Sequence, residues 1–268
     1  MLLATSTALL QIFLSEFMGT AMLLLLGGGV VANNIFNKTK GKGTGFLMVN
    51  WGWGIAVFAG VLVAFKSGGH LNPAVTVGIA IKEAAMNGKD ACFVMVDNVC
   101  QYAVAADTTA IYIVAQMLGA FVGAALMWLT YKKQFDIEQP AGYKLGVFST
   151  GPEERSYAWN LVTEIIATFV LVFVVLISGY QNGSAGGLGW LNALGVALLI
   201  VGIGASLGGP TGYAINPARD LGPRLWHAVM PVKDKGDSDW GYSWVPVVGP
   251  LVGGALAAVL YWAVNGVW

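Results

Sequence analysis

The sequence predicts an all-α membrane protein with six transmembrane helices and two re-entrant half-helices in an inverted repeat. Of its 268 residues, 56% are hydrophobic and only 10% are charged, which is too apolar for a soluble domain. Six long apolar runs supply the spans, and an Asn-Pro-Ala triplet occurs twice between them. We therefore expect a single membrane domain over residues 1–268.

The six apolar runs approach the length of roughly 20 residues that crosses about 30 Å of hydrocarbon. They cover residues 8–32, 46–66, 110–131, 158–180, 190–207 and 244–264. No positive charge precedes the first run and Glu16 lies inside it, so it lacks the basic start of a cleaved signal peptide. We expect it to remain as a membrane helix. The polar or glycine-rich segments between the runs are predicted to be surface loops: 33–45, 132–156, 181–189 and 231–242.

Two shorter helices are predicted to begin at the triplets Asn72-Pro73-Ala74 and Asn216-Pro217-Ala218. Asparagine is a favoured N-cap, and proline is favoured at the first helical position because its missing N–H would be unsatisfied there anyway. The apolar stretches that follow, about 73–84 and 217–228, have only half the length needed to cross a bilayer. They are therefore predicted to be half-helices that begin at membrane depth.

The order span, span, half-helix, span occurs twice, over about 8–131 and 158–264. Matching cues include Glu16 against Glu164, and a Gly-x-x-x-Gly motif in the third span of each copy. Three spans per copy is an odd number, so the second copy must enter the membrane from the opposite face, which defines an inverted repeat. The first copy carries additional residues at 85–109, whose mixed polar and apolar character indicates an amphipathic or re-entrant excursion.

Several functional classes are disfavoured by composition. The formal net charge is zero and there is no basic cluster, so we expect no nucleic-acid partner. Cys92 and Cys100 are too few for a disulfide scaffold, and His70 and His227 lack the thiol or carboxylate neighbours of a metal site. We expect no catalytic residues, no metal, no cofactor and no enzyme activity.

The paired half-helices predict a pore for neutral molecules. Each helix N-terminus is worth roughly half a positive charge, so two of them near the midplane should refuse cations and protons. Each asparagine oxygen caps its own helix, which leaves the amide NH₂ groups of Asn72 and Asn216 free to donate. Non-helical backbone at membrane depth is tolerated where it lines a cavity. A ladder of carbonyl acceptors is therefore expected from Gly68, Gly69, His70, Leu71, Gly212, Tyr213, Ala214 and Ile215.

With its two mirrored Asn-Pro-Ala triplets, the second continuing as Arg219-Asp220, nearly the whole chain resembles the aquaporin (major intrinsic protein) family. Residues around the pore are similar to those of its glycerol-facilitator, or aquaglyceroporin, branch. The resemblance implies a passive channel for glycerol and similar small neutral solutes, which also passes water and excludes ions and protons. It also implies a homotetramer in the plasma membrane with both termini in the cytoplasm.

The resemblance further implies a selectivity filter built from Trp51, Gly204, Tyr213 and Arg219. Water-only relatives usually carry His where Gly204 stands, so Gly204 is expected to leave room beside two aromatic faces for the carbon edge of a polyol. Arg219 would bind the hydroxyls. Tyr213 departs from the phenylalanine of familiar facilitators, and its hydroxyl could narrow or polarise the wall.

The acidic residues leave an alternative open. Glu16 and Glu164 are expected to accept N–H bonds from the re-entrant loops, with Asp220 as a third loop-supporting residue. They could instead relay protons in a secondary transporter of a small solute. A water-selective pore is a third possibility, which Gly204 disfavours.

The sequence leaves two questions open. The first is the ranking of the permeant solutes, which include glycerol and water and extend to urea, dihydroxyacetone, hydrogen peroxide or protonated lactic acid. The second is the orientation in the membrane, because the family arrangement puts only Lys66, Lys82 and Lys89 of the fourteen lysines and arginines on the cytoplasmic side. The positive-inside rule favours the reverse arrangement.

Overall fold

In the computed structural model, residues 6–96, 99–137, 139–178 and 190–265 are described. Its helices are α1 (Ser6–Ile35), α2 (Phe46–Val63), α3 (Pro73–Asn87), α4 (Ala106–Thr130), α5 (Lys132–Asp136), α6 (Ala141–Gly146), α7 (Tyr157–Ile177), α8 (Leu191–Leu207), α9 (Pro217–Val229) and α10 (Val245–Val264). Two short strands, β1 (Cys92–Val96) and β2 (Val99–Ala103), and two 3₁₀ turns, Phe65–Ser67 and Gly88–Asp90, complete the described elements.

Six of these helices coincide with the six predicted spans, which confirms the predicted fold class. Five are at least 18 residues long and apolar enough to cross a membrane, and α8 is a slightly shorter apolar helix of 17 residues. Large apolar side chains such as Leu10, Leu129 and Trp262 are exposed on the outside of the bundle. Such an apolar exterior is what a lipid environment requires. The predicted loop 181–189 lies outside the described residues.

The third span of each repeat packs closely on the first through its Gly-x-x-x-Gly motif. A Cβ atom at Gly123 in α4 would clash with the carbonyl oxygen of Ala21 in α1. A Cβ atom at Gly253 in α10 would clash in the same way with the carbonyl oxygen of Ile165 in α7. Both motifs therefore serve close helix packing within the chain, and the two repeats use the same device.

Segment 85–109 differs from its prediction. Instead of an amphipathic or re-entrant excursion, it forms a 3₁₀ turn followed by the antiparallel hairpin β1–β2, whose strands are joined by a disulfide between Cys92 and Cys100. Valine and aromatic residues favour strands over helices, and they are frequent here. The predicted loop 132–156 also contains structure, namely the short helices α5 and α6.

Candidate pore and selectivity filter

The two half-helices meet N-terminus to N-terminus. Asn72 Oδ1 accepts from the backbone N–H of Ala74 at 2.9 Å, and Asn216 Oδ1 accepts from those of Ala218 and Arg219 at 3.0 and 3.2 Å. Pro73 and Pro217 stand at the first helical positions. The caps therefore form as the triplets predict, and the positive ends of α3 and α9 face each other.

The asparagine amides are not entirely free, which corrects the expectation from sequence. Asn72 Nδ2 donates to the carbonyl oxygen of Ile215 at 2.7 Å, and Asn216 Nδ2 donates to that of Leu71 at 2.8 Å. One N–H of each amide therefore ties the two re-entrant loops together. The second N–H of each remains for a solute. The carbonyl oxygens of Leu71 and Ile215 each accept one of these bonds and keep a second lone pair, so they stay in the predicted ladder of acceptors.

The loops before the asparagines have left-handed backbone. Leu71, Tyr213 and Ile215 all have positive φ angles, of 55°, 38° and 45°. Residues with a side chain adopt this conformation only at an energetic cost, and it persists where surrounding contacts enforce it. The contacts that enforce it here come from two buried glutamates.

Glu16 holds the first loop. Its carboxylate accepts from the Ser67 hydroxyl at 2.6 Å, from the backbone N–H groups of His70 and Leu71 at 3.0 and 2.7 Å, and from Gln116 Nε2 at 2.8 Å. The side chain is completely buried. These four donors satisfy the carboxylate within the protein, as buried charge requires.

Glu164 holds the second loop in the equivalent way. It accepts from the Thr211 hydroxyl at 2.7 Å and from the backbone N–H groups of Ala214 and Ile215 at 3.0 and 2.9 Å. It is also completely buried. The hydroxyl-plus-two-amide pattern thus recurs in both repeats.

A cavity of about 70 Å³ lies where the loops meet. Its lining includes the polar residues Asn72, Asn216 and Arg219 and the apolar residues Val57, Leu171 and Ile200, and neither buried glutamate lines it. The lumen is therefore amphipathic, with hydrogen-bonding groups and hydrocarbon in the same lining. The backbone carbonyls of residues 68–71 and 212–215 remain its predicted acceptors.

Arg219 contacts Trp53 rather than Trp51. The guanidinium lies 4.0 Å from the centroid of the Trp53 ring, and Nη1 donates to the carbonyl oxygen of Phe148 at 3.1 Å. Trp53 is 5% exposed and lines the cavity, whereas Trp51 is 48% exposed. Two residues correspond to a rotation of about 200° on a helix, so the two indoles point to opposite faces. The filter assignment of Trp51 is therefore wrong.

Gly204 is in place beside Tyr213, but the expected open space is filled. A Cβ atom on Gly204 would lie 2.7 Å from Cζ of Tyr213 and 2.6 Å from Oδ1 of Asn50. Gly208 is similarly covered by the same ring. The missing side chains therefore let the Tyr213 ring lie flat against α8. The Tyr213 hydroxyl and Asn50 Oδ1 are buried and have no hydrogen-bond partner among the described residues.

Asp220 supports a segment that the sequence did not single out. Its carboxylate accepts from the backbone N–H and hydroxyl of Thr150 at 2.7 and 2.8 Å and pairs with the fully buried Arg224. Arg224 also donates to the carbonyl oxygen of Thr150 at 3.0 Å. This network fixes the backbone beside Phe148, the residue whose carbonyl receives Arg219.

His70 is held from several sides. Its Nδ1 lies 3.0 Å from the Thr76 hydroxyl, its ring stacks on Tyr112 at 4.4 Å, and Phe93 of β1 meets it edge-on at 5.4 Å. The Tyr112 hydroxyl donates to the carbonyl oxygen of Ser67 at 2.5 Å. Neither Tyr112 nor Phe93 was predicted to contact the pore loop. Within the described ranges, no cluster of His, Cys, Asp or Glu could hold a metal ion.

Comparisons with known proteins point to one family. A model of the Major intrinsic protein family matches residues 3–261. The chain is 45% identical over 247 residues to the "Glycerol uptake facilitator protein" of Streptococcus pneumoniae, covering 92% of this chain and 96% of the relative. It is 48% identical over 253 residues to the "Probable glycerol uptake facilitator protein" of Thermotoga maritima, covering 94% and 98%. The X-ray structure of the aquaglyceroporin from Plasmodium falciparum superposes with a TM-score of 0.77 at 30% identity, covering 96% and 97% of the two chains.

Proposed function

The chain belongs to the major intrinsic protein family, and we propose that it is a passive membrane channel for glycerol and similar small neutral solutes, which also passes water. The observation that carries this proposal is the amphipathic cavity at the junction of the two half-helices. Its lining combines the donors Asn72, Asn216 and Arg219 with apolar side chains such as Val57, Leu171 and Ile200. The relatives named as glycerol uptake facilitators support glycerol as the solute.

A polyol suits a lumen that offers both polar and apolar groups. The carbon edge of glycerol would lie against Leu171, Ile200 and the Trp53 indole, where burial of apolar surface offsets the loss of water. The hydroxyls would accept from the Arg219 guanidinium and the remaining asparagine N–H groups, and donate to the loop carbonyls. A solute that both donates and accepts can therefore replace its lost water, as a buried polar group requires.

Cations meet positive charge in the same place. The two half-helix N-termini contribute about half a charge each, and Arg219 adds a full charge. Asp220 does not cancel Arg219, because its carboxylate is paired with Arg224. An Arg together with half-helix dipoles is the known means of ion exclusion in aquaporin-type pores, and these residues support it here.

The two alternatives lose support for different reasons. In a proton-coupled transporter, Glu16 or Glu164 would need to reach the solute, yet each accepts at least three hydrogen bonds and neither lines the cavity. A water-selective pore would not need the apolar wall of Val57, Leu171 and Ile200. A channel also agrees with the absence of enzyme activity expected from sequence.

The remaining details of the proposal go beyond glycerol. We place the selectivity filter at Trp53, Gly204, Tyr213 and Arg219. We also propose a homotetramer in the plasma membrane with both termini in the cytoplasm. Urea, dihydroxyacetone, hydrogen peroxide and protonated lactic acid are further candidate solutes.

Stopped-flow swelling of proteoliposomes tests the proposal. The purified protein should pass glycerol down its gradient without any ion gradient, and a protonophore should leave the rate unchanged. Ile200→Trp should block flux because the indole fills the cavity. Ile166→Trp is the matched control, because Ile166 is 50% exposed on the apolar exterior. Glycerol uptake that requires a proton gradient would instead establish a transporter.

A further inference from the structure

The hairpin β1–β2 packs against the re-entrant loop that precedes Asn72. The Phe93 side chain is 2% exposed, and its ring lies 5.4 Å from the His70 ring and 5.0 Å from the Tyr112 ring. Val94 reaches Gly68, where a Cβ atom would lie 3.4 Å from Val94 Cγ2. His70 itself lines the cavity. The hairpin therefore contacts the pore loop without lining the cavity itself.

The disulfide joins two residues that are not partners across the hairpin. Cys92 stands opposite Ala103, and Cys100 stands opposite Met95. The register is irregular between Cys92 and Met95, where Val94 pairs with Tyr102. The cross-link thus closes a loop around the irregular stretch, and that stretch contains Phe93 and Val94, the two residues that touch the pore loop.

We expect the offset pairing at Val94 to change when the cross-link is broken, because the pairs on either side, Cys92 with Ala103 and Met95 with Cys100, already share one regular register. Side chains alternate between the faces of a strand, so a shift of one residue moves a side chain from one face to the other. In a regular ladder Val94 would pair with Gln101 instead of Tyr102. Phe93 and Val94 would then lose their present positions against His70 and Gly68.

We propose that the Cys92–Cys100 disulfide is a thiol–disulfide exchange site that controls flux through the pore. Its substrate is a dithiol reductant. A thiolate of the reductant attacks the sulfur of Cys100, which is the exposed member of the pair, and Cys92 leaves as a thiolate that takes up a proton. The second thiol of the reductant then resolves the mixed disulfide. The protein gains two electrons and two protons, and the reductant becomes a disulfide.

The direction of control follows from the contacts. The oxidised hairpin supports His70 and is the conducting state, and the reduced hairpin gives lower flux. Tyr102 donates to Gln11 Oε1 at 3.1 Å, which places the hairpin on the same membrane face as the start of α1. The inference rests here on the proposed orientation, in which both termini are cytoplasmic. In that orientation the hairpin faces the cytosol, where dithiol proteins keep thiols reduced.

Glycerol flux into proteoliposomes, measured before and after treatment with dithiothreitol, tests the proposal. Mass spectrometry would establish complete reduction. We expect reduction to lower flux about fivefold, the smallest effect typical of coupled sites, and reoxidation to restore it. The Cys92→Ser and Cys100→Ser variants should show the low flux and no response. Unchanged or increased flux in fully reduced protein would overturn the proposal.

Two strand variants separate the packing from the cross-link. Phe93→Ala should lower flux even with the disulfide intact, because the contact with His70 is lost. Met95→Ala is the matched control, since Met95 lies on the same strand and is 40% exposed; it should keep both the high flux and the response to reductant. Equal behaviour of the two variants would contradict the role of the hairpin contact.

Hydrogen–deuterium exchange gives a readout that does not depend on the solute. Reduction should speed amide exchange over residues 67–72 as well as over the hairpin. If glycerol fails to permeate in either state but exchange at 67–72 responds, the proposed function fails and the coupling stands. Unchanged exchange at 67–72 in reduced protein would overturn the coupling.

Discussion

Replacing Glu164 tests whether the buried carboxylates are structural. The carboxylate accepts three hydrogen bonds, from the Thr211 hydroxyl and the backbone N–H groups of Ala214 and Ile215. Oε1 accepts two of them and Oε2 accepts one. Glu164→Gln can keep its carbonyl oxygen at the first position, so only the N–H of Ile215 loses its acceptor. An unpaired buried donor costs about 1–3 kcal/mol.

Glu164→Ala removes all three acceptors. Three such losses sum to roughly 3–9 kcal/mol. The free energy of unfolding of a typical protein is only about 5–15 kcal/mol, so this is a large part of it. The left-handed backbone at Tyr213 and Ile215 would also lose the contacts that enforce it. We therefore expect Glu164→Ala to yield little folded protein. Glu164→Gln should fold with a lowered Tm.

Thermal unfolding in detergent and glycerol swelling of proteoliposomes, measured on the same preparations, check this reasoning. Glu164→Gln should retain most of the glycerol flux per folded molecule. Glu16→Gln is the matched variant in the first repeat, where the carboxylate has four donors, and it should behave alike. The structural reading would be refuted by Glu164→Gln protein of wild-type Tm that carries no flux, because a proton-coupled carboxylate would then be the better explanation.

Three further changes test the pore. Arg219→Val should open a cation leak in planar bilayers because it removes the charge at the filter; cation conductance already present in the wild type would contradict this. Trp53→Ala should lower glycerol flux in swelling assays, since its ring meets both Arg219 and the cavity, while Trp51→Ala should not; the reverse result would restore Trp51 to the filter. Gly204→His should displace the Tyr213 ring that covers it and cut glycerol flux while keeping water flux. Paired swelling in glycerol and in an impermeant osmolyte decides the last case, and equal loss of both fluxes in folded protein would place the constriction elsewhere.

The features that sequence could predict are those with local or repeated signals. An asparagine cap followed by proline is a motif of only a few neighbouring residues that marks the start of a helix. Both half-helices begin at such a motif. Glu16 and Glu164 occupy matching places in two copies of one pattern, which predicts a shared role. The structure gives them the same set of hydroxyl and amide donors.

The features that sequence missed depend on long-range packing. Trp51 and Trp53 stand in one helix with similar neighbours, and only the placement of α9 decides which indole meets Arg219. Thr150 belongs to a polar segment that was predicted to be a loop, and its bond to Asp220 spans 70 residues of chain. The hairpin β1–β2 lies in a chain otherwise dominated by helix signals. Its contact with His70 is visible only in three dimensions.

The buried charges connect folding with selectivity. Glu16 and Glu164 accept hydrogen bonds from the two re-entrant loops, and Asp220 pairs with Arg224 and accepts a hydrogen bond from Thr150. Arg219, in contrast, donates to the Phe148 carbonyl and has no carboxylate within ion-pair distance in the described part of the chain. Each acid near the pore therefore has a structural task, and neither glutamate lines the cavity, whereas Arg219 and the two capping asparagines at the positive helix ends do. The same hydrogen bonds that hold the loops in left-handed backbone thus keep the two glutamate side chains out of the cavity lining.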